Sequence, residues 1–73
     1  MPAEELAERL SAIAEELADL AYDRLREAAA AVADRGGPDP ALMAEERRLT
    51  RARRAVEKAA DLLGAPRPDG SPA

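Results

Sequence analysis

Large apolar residues recur at every seventh position between residues 42 and 63, as Leu42, Leu49, Val56 and Leu63. Taken as the a positions of a heptad, they place Glu45, Ala52 and Ala59 at d. A period of 3.5 residues held over three heptads predicts a helix that lies along another helix. The outward positions of the same stretch carry Arg47, Arg51, Arg54 and Lys58, so one element offers both a packing seam and a basic stripe. Arg48 and Arg53 flank the seam, where acidic side chains of a neighbouring helix would account for them.

The first half of the chain has a second such pattern. Leu6, Leu10, Ile13, Leu17 and Leu20 alternate steps of four and three, a seam that predicts contact with the second helix. Arg24 takes the next seam position, and the apolar pattern resumes through Ala21, Leu25, Ala28 and Val32 as though four residues had been inserted. Such a shift relaxes left-handed supercoiling. Ala7, Ala14, Ala18, Ala21, Leu25 and Ala29 form a second apolar strip beside the first, with Tyr22 at its edge. One partner helix needs a stripe only about 100° wide. Helix 1 therefore expects two neighbours, of which its own chain supplies one.

Punctuation sets the boundaries. Pro2 suits the opening of a helix, and Glu4, Glu5 and Glu8 favour its positive end. Gly36-Gly37-Pro38 closes that helix, Asp39-Pro40 caps and opens another, and Gly64 and Pro66 stop it. The expected architecture is all-α: a two-helix antiparallel hairpin over residues 1–64, with helix 1 about 3–33, a turn over 34–39 and helix 2 about 40–63. Residues 65–73, rich in proline and without a large apolar side chain, read as a disordered tail.

Folding about Gly36-Gly37 sets Leu63 near Ser11 and lets residues 3–10 project beyond helix 2. Leu6 and Leu10 would then be wet in a monomer. Homodimerisation into a four-helix bundle follows as the expectation, with Leu6, Leu10, Ala14, Ala18, Ala21, Tyr22 and Leu25 as self-association residues. Arg24 and Glu45 interrupt the two seams and form a candidate register ion pair, about one helical turn out of register in this fold.

Composition narrows the function more than it defines it. The chain has 73 residues, room for one small domain, and a core of that size usually needs a staple. Cysteine and histidine are absent, which removes disulfides, thiolate chemistry and the usual zinc ligands and leaves oligomerisation as the staple. Nineteen of the apolar residues are alanine, a composition for closely packed helices. Ser11, Thr50, Ser71 and Tyr22 are the only hydroxyls and have no histidine base, so no enzyme and no cofactor is expected. The chain lacks an apolar run of membrane-spanning length and starts with acidic residues, so the expected location is the cytoplasm, with no membrane partner. Arginine outnumbers lysine ten to one, a bias of GC-rich bacterial coding that carries no mechanism.

The net charge of −4 conceals an asymmetry: residues 3–33 carry eight acidic and three basic side chains, residues 41–63 four and six. The two halves therefore attract. The leading functional expectation is a small non-enzymatic structural or protein-interaction module that presents a charged helical surface to a protein partner. The alternative is a nucleic-acid-associated accessory factor using Arg47, Arg51, Arg54 and Lys58 as an acidic-partner surface. Nucleic acid is disfavoured by the acidic neighbouring helix and by the lack of interleaved aromatic residues.

Overall fold

The computed structural model describes residues 2–64, which form an all-α hairpin of two antiparallel helices, α1 (Ala3–Arg35) and α2 (Pro40–Leu63). Expectations for residues 65–73 lie outside the described residues. Each boundary has a local cause. Pro2 is extended, and its carbonyl accepts from the Glu5 and Leu6 amides at 3.2 and 3.4 Å. At the other end Gly36 turns left-handed (φ 81°), and its N–H donates to the Val32 carbonyl at 2.9 Å, satisfying one of the orphan acceptors of the last turn. Asp39 opens α2 by accepting from the Ala41 amide at 2.9 Å, with Pro40 at the first helical position.

The two helices pack along their length, with a register that differs from the simple fold about Gly36-Gly37. A Cβ on Gly64 would stand 3.9 Å from Ala7 Cβ, and Arg24 Nε is 3.2 Å from Glu45, so facing positions have numbers adding to about 70. The symmetric fold gives about 74. The physical reason is the connection: after Gly36 the chain does not turn straight into α2, because Asp39 remains extended and a helix cannot start before Pro40. The chain descends beside the last turn of α1 before α2 begins. Four residues correspond to about 6 Å of helix. Leu63 thus sits level with Ala7 instead of Ser11, only residues before Ala7 project past α2, and Leu10 is half-buried.

The faces are also reassigned. The buried residues of α1 are Ala7, Ala14, Ala21, Ala28 and Ala31, so the alanine strip faces α2 and the Leu6-Ile13-Leu20 strip does not. Leu10 and Leu17 lie on the border between the two strips and are half-buried. Size matching explains the choice. The register brings Ala7, Ala14, Ala21 and Ala28 level with Leu63, Val56, Leu49 and Leu42, so each large residue of α2 meets a small one of α1. Interdigitation of this kind lets helices approach closely, whereas leucine against leucine would hold them apart. The sevenfold alanine spacing runs from 7 to 28 without a phase shift, so no insertion interrupts the seam at Arg24.

On α2 the seam leans one residue from the expected line. Ala60 is buried and Glu46 and Arg53 are half-buried, while Ala52 is exposed. Arg53 therefore lies in the seam, level with Leu17, where its aliphatic stem covers apolar surface. Its Nε is buried without a hydrogen-bond partner, since the Glu57 carboxylate of its own helix is 3.9 Å away. It does not reach the acidic side chains of α1 expected to pair with it.

Candidate interaction surfaces

The hairpin has two broad faces, one on either side of the plane through its helix axes. The first carries Leu6, Ile13 and Leu20 from α1, joined by Ala52 and Ala59 of α2 and by Leu62 beyond them. Leu6, Ile13 and Leu20 are 39%, 44% and 42% exposed, and Leu62 is 65% exposed. The second face has a shallow polar groove at the open end, lined by Ser11, Ala14, Glu15, Ala18, Arg53 and Glu57 among others. Towards the turn the same face carries Leu25 and Val32, 42% and 46% exposed, with half-buried Met43 nearby. Large apolar residues of α1 thus change sides between Leu20 and Leu25. This crossing is what the interruption of the leucine pattern at Arg24 records.

The candidate self-association residues are divided by this arrangement. Leu6 belongs to the first face and Leu25 to the second. Ala14 and Ala21, 4% and 8% exposed, are sealed against α2 and cannot serve a second chain directly. Leu10 and Ala18 are half-buried. Tyr22 is exposed beside the second face, with the Arg26 guanidinium 6.0 Å from its ring centroid, at the outer range of a cation–π contact. Reading the chain by leucine spacing missed Ile13 and Leu20 as open surface. The signal was present in the sevenfold spacing of Ala7, Ala14, Ala21 and Ala28 opposite the large residues of α2.

Arg24 is brought to Glu45, with Nε 3.2 Å from its carboxylate, and its Nη1 donates a hydrogen bond to Glu27 one turn along α1. One guanidinium thereby joins both helices at the turn end of the leucine face. The hydrogen bond and charge of Glu27 raise the Arg24 pKa above its ordinary value; partial burial opposes them, and Glu45 and Asp23 add to the rise. Arg24 is cationic at any pH compatible with folding. Next to Glu45, Glu46 accepts from the Thr50 hydroxyl at 2.8 Å, which spends its carboxylate within α2.

Arg47, Arg51, Arg54 and Lys58 are all exposed on the outer side of α2, and among the described residues no ion pair engages them. Among the described residues no group of three or more Asp or Glu side chains converges as a metal site, and no helix is long and apolar enough to cross a membrane. Comparison with protein-family models, with curated proteins and with solved structures finds no match.

Proposed function

We propose that this chain is a non-enzymatic structural module that self-associates through the face of Leu6, Ile13 and Leu20 into a four-helix bundle. The charged outer sides of its helices are then left to a protein partner. One observation carries the reading. Among the described residues the only buried side chains are six alanines, and no Leu, Ile, Val, Met or Tyr is buried. Alanine burial contributes little apolar area, so the hairpin alone holds its helices together with half-covered side chains. A second layer packed on the leucine face would complete their burial and supply the core that a chain of this length otherwise lacks.

Sedimentation equilibrium over a micromolar concentration range tests the proposal, with Ile13→Asp as the variant. A concentration-dependent dimer whose dissociation constant is raised by Ile13→Asp supports it. A fully helical monomer of 7.8 kDa at all concentrations refutes it.

A second reading is favoured by the exposure of Arg47, Arg51, Arg54 and Lys58, which no ion pair engages among the described residues. Pairs such as Arg47 and Arg51 repel one another at i,i+4, a cost of a few tenths of a kcal/mol that a polyanion would relieve. Binding of nucleic acid at low salt, lost steeply as salt rises and abolished by reversing the four charges, is its requirement. Absence of binding at low salt ends it.

A further inference from the structure

The self-association proposed above leaves open how two hairpins stack, and we infer that each α1 lies on the α2 of the second copy, with both turns at the same end of the bundle. A closed pair uses one face twice, related by a two-fold axis. Two stackings of the leucine faces satisfy this. In the same-end dimer the axis runs along the bundle and α1 covers the second copy's α2. In the end-over-end dimer α1 covers α1 and α2 covers α2, with the turns at opposite ends.

Charge separates the two. Helix α1 has nine acidic and four basic side chains, a net of −5, and α2 has four and six, a net of +2. Same-end stacking gives every helix two neighbours of opposite sign and leaves like charges on the diagonals. End-over-end stacking lays the two acidic helices against each other. The outer edge of the leucine face repeats the pattern locally, because Asp23 and Arg48 lie at nearly the same level of the hairpin under the observed register. In the same-end dimer each Asp23 therefore stands over the second copy's Arg48.

Shape gives the same answer by an independent route. Ile13 and Leu20 are level with the small residues Ala55, Ala59 and Ala52 of α2. Along this middle stretch same-end stacking therefore places large side chains over small ones, and only at the open end does it bring Leu6 towards the second copy's Leu62. This is the complementarity that already joins α1 to α2 within the chain. End-over-end stacking would set leucine on leucine along one helix pair and alanine on alanine along the other. Two rigid hairpins cannot be wide apart at one pair and close at the other without leaving a void.

The turn provides the readout. A Cβ on Gly37 meets nothing within 4 Å, its φ lies outside the left-handed region, and the chain has no cysteine. Gly37→Cys can therefore carry a single spin label, with the distance between labels measured by pulsed electron resonance at a concentration where sedimentation shows a dimer. Same-end stacking expects a distance within about 30 Å, because neighbouring helices are about 8–10 Å apart. End-over-end stacking expects more than about 50 Å, the order of the length of α1. A dimer with the long distance overturns the orientation and leaves self-association intact. A monomer at every concentration overturns the self-association on which the orientation rests.

Discussion

Ile13 and Val32 form a matched pair for testing which face associates. They are 44% and 46% exposed, both on α1, on opposite faces of the hairpin. Ile13→Ala removes three carbons, worth about 2.4 kcal/mol if the residue passed from full exposure to full burial. The hairpin already covers a little more than half of Ile13, so about 1 kcal/mol per chain remains for association through the leucine face. Two copies contribute, giving about 2 kcal/mol and a dissociation constant raised about 30-fold. Val32→Ala removes two carbons with the same residual exposure but from the face that stays outside the dimer, so its dissociation constant should not move. Sedimentation velocity over a hundredfold range of concentration measures both. Equal weakening by the two variants, or weakening by Val32→Ala alone, would refute the assignment of faces.

Other expectations concern the hairpin itself. Gly36→Ala places a Cβ at φ 81° and should cost about 1 kcal/mol in thermal melting, whereas Gly37→Ala, with open space and ordinary φ, should be neutral or slightly stabilising. Asp39→Ala removes the acceptor of the Ala41 amide and should lower stability by about 1 kcal/mol, measurable by urea titration. Glu45→Gln removes the carboxylate that ties Arg24 to α2; the melting temperature should fall at low salt, with the difference from the native chain shrinking in molar salt.

The existence and direction of both helices are legible from the chain because several local signals agree. Gly36 needs its left-handed φ, Asp39 needs its amide partner, and Pro40 excludes continuation from before it. The choice of faces is harder to read, since it is a property of two helices together. Leu6, Leu10, Ile13, Leu17 and Leu20 form a better seam in isolation than Ala7, Ala14, Ala21 and Ala28. Only when α1 is set against Leu42, Leu49, Val56 and Leu63 does the alanine strip become the better surface, by fitting their size. The register was hidden for a related reason. Residue count treats the turn as symmetric, yet the extended Asp39 and the proline after it displace α2 by about one turn. With that displacement Arg24 meets Glu45 instead of missing it.

An alanine seam has a consequence for how folding and association are linked. Alanines bring the backbones of α1 and α2 together but cannot enclose the leucines that reach across them, so Leu10, Leu17, Leu42 and Leu49 remain half-covered inside the hairpin. Completing their burial and covering Leu6, Ile13 and Leu20 are one event if a second layer docks on the leucine face. Folding and dimerisation should then share one free energy, and anything that binds only the folded form raises its apparent stability by mass action. Under the proposed association the midpoint of thermal unfolding rises with protein concentration. A midpoint that does not vary with concentration would mean that the hairpin holds itself together without the second layer.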